Sequence, residues 1–222
     1  MRTLTVTFDA RDVDGLARFW AGMLGREPLR DGDAVRLPGE GGQLGLAFVT
    51  GPERKPGARS MHLHLTSATV DDQQRTVEAA LTLGAGHLDV GQLPAEGHIV
   101  LADPEGNPFC VIEAGNRFLA GCGFLGELAC DGTRDVGVFW SEALGWPLVW
   151  DENGETAIQS PAGGTKIAWG GPPLDPKDGR NRQRLEIDGE AGHLIALGAL
   201  RLGDGELADP DGNEFTLAAP RT

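Results

Sequence analysis

Apolar and polar residues alternate in a pattern that predicts a strand, a helix and three more strands at the start of the chain. Residues 4–8 carry apolar side chains at every second position, as a strand does. Apolar residues then recur at helical spacing from Asp12, a residue type that caps helices, to Leu24, and Gly25 ends the pattern. Shorter apolar stretches between glycine-rich turns predict strands near residues 27–30, 34–37 and 43–49.

The same order recurs immediately, so the first half of the chain contains two units of strand, helix and three strands. A strand is predicted at residues 62–66, and a helix follows at residues 71–83, with Gly84 as its stop signal. The remaining strands are predicted near residues 87–90, 99–101 and 109–112.

The second half of the chain repeats the first half in the same order, which indicates a duplication. The segment FDARDVDGLARFWAGMLGREPLRD at residues 8–31 resembles LACDGTRDVGVFWSEALGWPLVWD at residues 128–151. HLHL corresponds to RLEI, LGA recurs, and ADPEGNPFCVIE at residues 102–113 returns as ADPDGNEFTLAA at residues 208–219.

The duplication predicts four βαβββ units in two pairs, with a shorter last helix at residues 190–197. We predict a first domain at residues 1–116, a linker at residues 117–120 and a second domain at residues 121–222. The repeated blocks themselves have structural explanations. In DPEGN, Pro104 fixes a turn and Gly106 accepts a positive φ. The Phe-Trp pairs at 19–20 and 139–140 lie at helical spacing with other apolar residues, which favours core packing over a ligand platform.

Composition and charge exclude several kinds of partner. The formal net charge is −14 and the only basic cluster is Arg180, Arg182 and Arg184, whereas nucleic-acid binders present a basic face. The acidic charge either attracts a cationic ligand or only keeps the protein in solution. No apolar run approaches the ~20 residues of a membrane helix. The three cysteines fit no disulfide pattern, so we expect a cytoplasmic protein with reduced thiols, Cys110 being a core thiol.

Taken together, the repeated blocks resemble the vicinal oxygen chelate superfamily, which includes glyoxalase I, bleomycin-resistance proteins and extradiol dioxygenases. The resemblance covers nearly the whole chain and rests on FWAGMLG, FWSEALG, HLHL, LGA, DPEGNPFCVIE and DPDGNEF in this order. It implies an α+β fold in which paired βαβββ units form half-barrel mixed sheets, each cupping a cleft with helices outside. It is compatible with a monomer of two fused domains or with a homodimer.

In metal-using members of the superfamily, the ligands come from the first and last strands of the paired units. The resemblance places these positions at Thr5, Gly45, His62 and Glu113, of which only His62 and Glu113 can bind a metal. His64 also faces inward, but it lies two residues along the same strand, about 7 Å away. We therefore expect no cofactor, with a divalent metal at His62 and Glu113 as the alternative. The corresponding positions of the second half, near Leu125, Ile167, Arg184 and Ala219, lack a ligand set.

The second half is richer in tryptophan, which favours an aromatic ligand cleft. Matching Gly163-Gly164 to Gly41-Gly42 puts Trp169 at the position of Ala47 and predicts that it faces inward, close to Arg184 and Glu186 on a neighbouring strand. Alternatively, Trp146 and Trp150 seal the interface between the copies. The predicted ligand-binding residues are Trp169, Arg184, Glu186, Trp150 and His64.

Three functions fit these patterns. The first is metal-independent binding of a small organic molecule, of the resistance or sequestration type. The second is a metal-dependent lyase or dioxygenase that uses His62 and Glu113. The third is a non-catalytic scaffold or regulatory protein. The residues leave open whether the protein is an enzyme, and the fold by itself does not decide between these functions.

Overall fold

The computed structural model describes residues 4–51, 61–93, 95–177, 179–203 and 205–218. Within them the chain forms, in order, β1 (Leu4–Ala10), α1 (Val13–Leu24), β2 (Leu29–Asp31), β3 (Ala34–Leu37), β4 (Gly45–Thr50), β5 (His62–Leu65), α2 (Val70–Thr82), β6 (Gly86–His87), β7 (Ile99–Ala102), β8 (Pro108–Val111), β9 (Leu125–Cys130), α3 (Arg134–Leu144), β10 (Leu148–Glu152), β11 (Glu155–Gln159), β12 (Lys166–Trp169), β13 (Gln183–Ile187), α4 (Ala191–Ala196), β14 (Leu200–Gly203), β15 (Glu206–Ala208) and β16 (Glu214–Leu217). The order of one strand, one helix and three strands therefore occurs four times, as predicted.

The strands form two eight-stranded mixed sheets. The first sheet has the spatial order β14, β15, β16, β13, β1, β4, β3, β2, and the second sheet has the order β10, β11, β12, β9, β5, β8, β7, β6. Each sheet therefore consists of two βαβββ units joined through their first strands. The predicted α+β class is confirmed.

The units pair across the two halves of the chain. Strand β1 runs antiparallel to β13, so the first unit completes its sheet with the fourth unit. Strand β5 runs antiparallel to β9, so the second unit pairs with the third. Thr5 and Gly45 consequently lie in the first sheet, whereas His62 and Glu113 belong to the second unit, in the other sheet. The division into domains at 1–116 and 121–222 stays a prediction from the repeat, because neither sheet is built from one half alone.

Aromatic side chains of α1 and α3 join the two sheets into one core. Trp20 of α1 contacts Phe8 of the first sheet at 6.4 Å and Phe109 of the second sheet at 5.2 Å between ring centroids. Trp140 of α3 contacts Phe215 of the first sheet at 4.9 Å. Both tryptophans are buried. The repeated Phe-Trp pairs are therefore core residues, because each helix packs on its own sheet and also contacts an aromatic residue of the other sheet.

The repeated hairpin motif anchors these tryptophans. Asp103 accepts hydrogen bonds from Trp20 Nε1 at 3.1 Å and from the backbone N–H of Asn107 at 2.9 Å. Asp209 accepts from Trp140 Nε1 at 3.4 Å and from the backbone N–H of its own asparagine, Asn213, at 2.9 Å. The motif thus closes a turn, as predicted, and also satisfies the buried indole N–H of the neighbouring helix.

The next acidic residue of each hairpin caps the start of the same helix. Glu105 Oε1 accepts from the backbone N–H of Asp12 at 2.9 Å, just before α1 begins. Asp211 Oδ2 accepts from the backbone N–H of Thr133 at 2.7 Å, just before α3 begins. Both carboxylates lie where the first helical N–H groups lack intrahelical partners and where the helix dipole favours negative charge.

The cysteines noted in the sequence are buried, and the arginine cluster is paired with carboxylates of the chain. All three cysteines are free and buried. The cluster of Arg180, Arg182 and Arg184 presents no basic face, because each arginine is paired with at least one of Asp9, Glu105 and Glu206. Among the described residues, no helix combines the length and the apolar character needed to cross a bilayer.

Asp209 is expected to make stability depend on pH. Burial raises the pKa of Asp209, and the hydrogen bonds from Asn213 and Trp140 lower it. The effect of burial is larger, so the pKa rises to about 6. The folded pKa is then higher than the unfolded pKa of about 3.9, so the contribution to stability is complete below pH ~4 and is lost as pH rises through about 6. Between pH ~4 and pH ~7, we expect the unfolding free energy of the wild type to fall by about 2–3 kcal/mol relative to that of Asp209→Asn.

Urea denaturation at several pH values measures this difference. Asp33→Asn is the control, because Asp33 is exposed in a turn, and it should track the wild type at every pH. A free-energy gap between wild type and Asp209→Asn that stays constant with pH would show that burial of Asp209 has no such effect.

Candidate functional site

Each sheet packs one face on the helices and turns the other face away from them. In the first sheet, Leu4, Val6 and Phe8 are buried on the helix side, so Thr5 and Thr7 point to the opposite face. Thr5 lies between Gly45 and Glu186, and Thr7 lies between Ala47 and Arg184. This face therefore collects polar side chains from β1 and β13.

A pocket opens at the end of the first sheet where β1 begins. Its volume is about 440 Å³. One wall is apolar and consists of Leu4, Leu37, Leu44, Leu46 and Trp146. Polar groups come from Thr5, Asp31, Arg36, Gln43, Ser160 and Glu186, and Gly45 leaves the floor open because it has no side chain. The pocket is of the size and character that hold small organic molecules.

An ion pair borders this pocket. Arg36 donates from Nη1 to Glu186 Oε1 at 2.6 Å and from Nη2 to Glu186 Oε2 at 3.1 Å, in bidentate geometry. Its Nε donates to Asp31 Oδ2 at 2.7 Å. The hydrogen bond to Glu186 is the main reason why the pKa of Arg36 is raised, against the lowering effect of burial. With two carboxylates around one guanidinium, this edge of the pocket carries a net negative charge.

Arg184 lies on the same face but does not reach the pocket. It donates to both carboxylate oxygens of Asp9, at 2.9 Å and 2.7 Å, and to the backbone carbonyl of Asn181 at 2.9 Å. Both side chains of the pair are about 5% exposed. Arg184, a predicted ligand contact, does not line this pocket, because Asp9 holds its guanidinium. Glu186, also predicted, does line the pocket.

Trp169 lies on the helix side of the second sheet, which contradicts the prediction that it faces inward. It is paired in register with Cys130, and both side chains are buried in the core. In the first copy, Phe48 lies opposite Phe8 of the first strand; in the second copy, Ile167 lies opposite the equivalent residue, Leu128. The chain from the Gly-Gly turn to this position is three residues shorter in the second copy than in the first. An odd shift turns a strand residue to the other face of its sheet.

Trp146 and Trp150 also lie in positions that differ from those predicted for them. Trp146, predicted to seal an interface, lines the pocket of the first sheet and has a buried indole N–H without a hydrogen-bond partner among the described residues. Trp150, on β10 of the second sheet, is 39% exposed and contacts Phe118 edge-on at 5.9 Å between ring centroids. It lies apart from Glu186 and does not line the pocket.

The second sheet brings two imidazoles, a thiol and a carboxylate together on its free face. His64 lies beside Cys110 on β8 and beside Glu127 on β9. One ligand atom from each of His62, His64 and Cys110 lies within 4.8 Å of the others. His64 Nδ1 is 2.6 Å from Glu127 Oε2, and no described group meets hydrogen-bond geometry at the buried Nε2 atom of His64.

The protonation of His64 reflects these neighbours. Burial lowers its pKa, but the hydrogen-bonding and electrostatic interactions of His64 with Cys110 and Glu127 together outweigh burial and raise the pKa to about 9. The metal-free imidazole is therefore charged at neutral pH and paired with Glu127, and a metal ion at Nε2 would displace the proton from that atom. His64 was predicted as a ligand-binding residue, and the structure places it at the centre of this cluster.

Glu113 does not belong to the cluster, so the predicted pairing of Glu113 with His62 is wrong. Leu65 is opposite Val111 in the parallel pair β5–β8, which puts His62 and Glu113 five strand positions apart, about 16 Å. Glu113 also follows the helix-facing residues Phe109 and Val111 in alternation, and its Oε1 accepts from Asn116 Nδ2 at 3.1 Å. Cys110, on the opposite side of the strand, takes the place expected for Glu113.

Comparison with known proteins is decisive for the family. A family model described as "Glyoxalase-like domain" matches residues 5–112 and 127–218. The chain belongs to the glyoxalase-like domain family. Glyoxalase I from Zea mays is similar over 98% of this chain and 92% of its own, with a TM-score of 0.67 and 13% identity. A protein from Bacillus subtilis, provisionally assigned as a dioxygenase, is similar over 96% of this chain and 83% of its own, with a TM-score of 0.59 and 13% identity.

At these identities the structural likeness of the glyoxalase-like chain to its neighbours shows the fold alone. A comparison with curated proteins found no significant match. The activity therefore has to be argued from the side chains that the two sheets present.

Among the described residues, those around the pocket of the first sheet do not form the donor set that a divalent metal needs. The positions at which the superfamily keeps ligands hold a hydroxyl, Thr5, and a glycine, Gly45. Glu186 supplies a carboxylate opposite Thr5, but Arg36 binds both of its oxygens. The donor set around this pocket does not fit a metal, since one engaged carboxylate is too few ligands. The matching position at Ala219 lies outside the described residues.

The second sheet does offer a donor set that fits a divalent metal. Two imidazoles and one thiol lie close enough for their ligand atoms to converge, and three protein ligands leave a fourth position open. Glu127 binds the other nitrogen of His64, as carboxylates do behind metal-bound histidines. Glu127 comes from the third unit, in the other half of the chain, so alternation along one strand did not place it beside His64.

Proposed function

We propose that this glyoxalase-like protein binds a small, mostly apolar organic molecule in the pocket of the first sheet without a metal ion. The observation that carries the proposal is the pocket of about 440 Å³, with its leucine and tryptophan wall and its few polar groups. The positions where a metal would sit hold Thr5 and Gly45 instead. Replacing metal ligands by small residues enlarges the space for a ligand and removes the Lewis acid from it.

The charges around the pocket favour a neutral or cationic ligand. Asp31, Arg36 and Glu186 together carry a net negative charge, and the whole chain has a formal net charge of −14. Long-range attraction then concentrates cations and repels anions. The flat indole of Trp146 and the leucine side chains suit an aromatic or alicyclic body. An aromatic cation combines both properties.

The same residues argue for binding without chemical change. The ionisable groups among the pocket's lining residues are Asp31, Arg36 and Glu186, and Arg36 binds both carboxylates. A general acid or base has to exchange a proton with the substrate, which a carboxylate held by a bidentate guanidinium does poorly. A sequestering or resistance-type role therefore fits the pocket better than lyase or dioxygenase chemistry.

Filling the pocket is expected to abolish ligand binding. In chelator-treated protein, an aromatic cation such as ethidium should bind, and Thr5→Trp should weaken it at least about tenfold, a loss of about 1.4 kcal/mol. Thr5 lines the pocket between Gly45 and Glu186, so an indole at this position occupies the space of the ligand. Calorimetric titration of a panel of aromatic cations measures the change.

The matched control is Thr50→Trp, because Thr50 is exposed at the far end of β4 and does not line the pocket. This variant should bind as the wild type does. The anionic aromatic 1-anilinonaphthalene-8-sulfonate should bind more weakly than ethidium. Equal affinity in wild type and Thr5→Trp would place the ligand elsewhere, and failure of the whole panel would favour a scaffold or regulatory protein.

A further inference from the structure

We propose that the second sheet holds a thiophilic divalent cation, Zn²⁺ or its substitute Co²⁺, with His62, His64 and Cys110 as the protein ligands. The inference is independent of the pocket in the first sheet. Its basis is the convergence of one ligand atom from each of these residues within 4.8 Å. Two imidazoles and a thiolate, with a fourth position open to an exchangeable ligand, form a donor set typical of tetrahedral zinc.

The backbone holds the three ligands without the help of a loop. His62 and His64 are alternate residues of β5, so both side chains leave the same face, and their ring centroids are 4.9 Å apart. Cys110 lies next to His64 on the parallel neighbour β8. Adjacent strands lie about 4.8 Å apart, so side chains that leave the same face of neighbouring strands can converge on one ion. Sites built on strands are more rigid than sites built on loops.

His64 is oriented as metal-binding histidines are, with one ring nitrogen bound to a carboxylate and the other free to coordinate. Its Nδ1 is 2.6 Å from Glu127 Oε2, so the carboxylate fixes the ring and directs Nε2. Nε2 is buried and meets no hydrogen-bond partner among the described residues. A buried polar atom without a partner is unfavourable, and coordination of a cation would satisfy it.

The donor set selects the kind of metal. A thiolate and imidazoles favour Zn²⁺, Co²⁺ and other soft or borderline ions, whereas Mg²⁺ and Mn²⁺ prefer oxygen ligands. Glu127 is the nearest carboxylate, but its Oε2 is bound to His64, which makes it a positioning residue. A divalent cation, a thiolate at Cys110 and the carboxylate of Glu127 also sum to no net charge, which lowers the penalty for burial.

The neighbouring cation does not compete for the site. Lys166 pairs in register with Glu127, but its ammonium group donates to the carbonyl of Phe118 and lies 4.3 Å above the Phe118 ring. Its charge is therefore directed to the segment that follows β8, leaving the carboxylate of Glu127 to His64.

Cobalt titration of the metal-stripped full chain tests the proposal. The wild type should take up about one Co²⁺ per chain, with the intense visible bands of a tetrahedral ion and a near-ultraviolet thiolate-to-cobalt band. Cys110→Ser should lose the thiolate band and weaken Co²⁺ binding, and His64→Ala should weaken it likewise. Cys130→Ser is the matched control, because Cys130 is also buried but lies on the helix side, and it should behave as the wild type does.

Glu127 is tested separately because it acts through His64. Glu127→Ala should weaken Co²⁺ binding about 10- to 100-fold and keep the thiolate band, and Glu127→Gln, which still accepts from His64, should recover part of the affinity. Circular dichroism establishes that each variant folds. If Cys110→Ser does not fold, protection of Cys110 from iodoacetamide by Zn²⁺ in the wild type takes its place.

Three results would overturn the proposal. They are uptake well below one Co²⁺ per chain, a thiolate band that survives in Cys110→Ser, and alkylation of Cys110 at an unchanged rate in the presence of Zn²⁺. A loss of the band in Cys130→Ser alone would assign the metal to another part of the protein. None of these results bears on ethidium binding, so the two proposals can fail independently.

Discussion

Replacement of Gly42 by alanine is expected to lower the unfolding free energy by about 3 kcal/mol or more. Gly42 has a φ of 83°, which L-residues rarely adopt. A methyl group on its Cα would come within 2.2 Å of the carbonyl oxygen of Gly163. That oxygen belongs to the matching Gly-Gly turn of the second copy, and the two turns are joined by a hydrogen bond from Thr165 N to Gly42 O at 3.2 Å.

The neighbouring glycine separates the two causes of this loss. Gly41 also has a positive φ, of 59°, but a methyl group there would meet nothing within 4 Å. Gly41→Ala should therefore show only the backbone term, about 1 kcal/mol. Gly164→Ala should resemble Gly42→Ala, since its methyl group would lie 2.2 Å from the Gly42 backbone. Denaturant midpoints measure all three, and equal losses at Gly41 and Gly42 would show that the turns are not in tight contact.

Removal of Asp9 is expected to have a comparable effect, a loss of about 3–5 kcal/mol in Asp9→Ala. Asp9 accepts two hydrogen bonds from the buried Arg184 guanidinium, at 2.9 Å and 2.7 Å, and is within 3.4 Å of Arg180. Without the carboxylate, Arg184 keeps a buried charge with one backbone carbonyl and a distant Glu206, 3.9 Å away. The penalty comes from that uncompensated charge more than from the lost attraction.

A double variant tests this explanation. Asp9→Leu with Arg184→Met removes both charges and should be less destabilised than Asp9→Ala, because well-packed apolar residues replace a buried ion pair at little cost. Arg30→Ala breaks the exposed pair with Asp14 and should change the unfolding free energy by no more than about 1 kcal/mol. If the double variant is as unstable as the sum of Asp9→Leu and Arg184→Met, the two residues are not coupled, and a stranded charge does not explain the loss in Asp9→Ala.

Much of the fold could be predicted from local patterns. Alternation and helical spacing located the strands and helices, and the repeated hairpin and Phe-Trp blocks revealed four similar units. These features depend on residues close in sequence, such as Pro104 and Gly106 in one turn. The pairing of the units could not be predicted in this way, because alternation says which face a residue occupies and not which strand lies beside it.

The predictions of site residues failed where they depended on which strands are neighbours or on the number of residues in a loop. Trp169 was assigned to the wrong face because the loop before its strand is shorter than the loop before Ala47 by an odd number of residues. Glu113 was chosen for its chemistry, although alternation places it on the helix side with Val111. The same alternation places Cys110 with the inward histidines, so this ligand could have been found from the sequence.

Glu127 and Trp146 could not have been found in this way. Glu127 meets His64 only because the second and third units share a sheet. Trp146 follows α3, in the second half of the chain, yet lines a pocket whose floor comes mostly from the first half. Both contacts join residues from different halves, and the sequence contains no signal for that contact.

Difference density from crystals of chelator-treated protein soaked with the tightest-binding aromatic cation tests the central claim most directly. We expect density for the ligand between Trp146 and the Arg36–Glu186 pair, over Gly45, with no metal peak beside it. Density on the face of the second sheet beside His62 and His64, with the pocket of the first sheet empty, would contradict it.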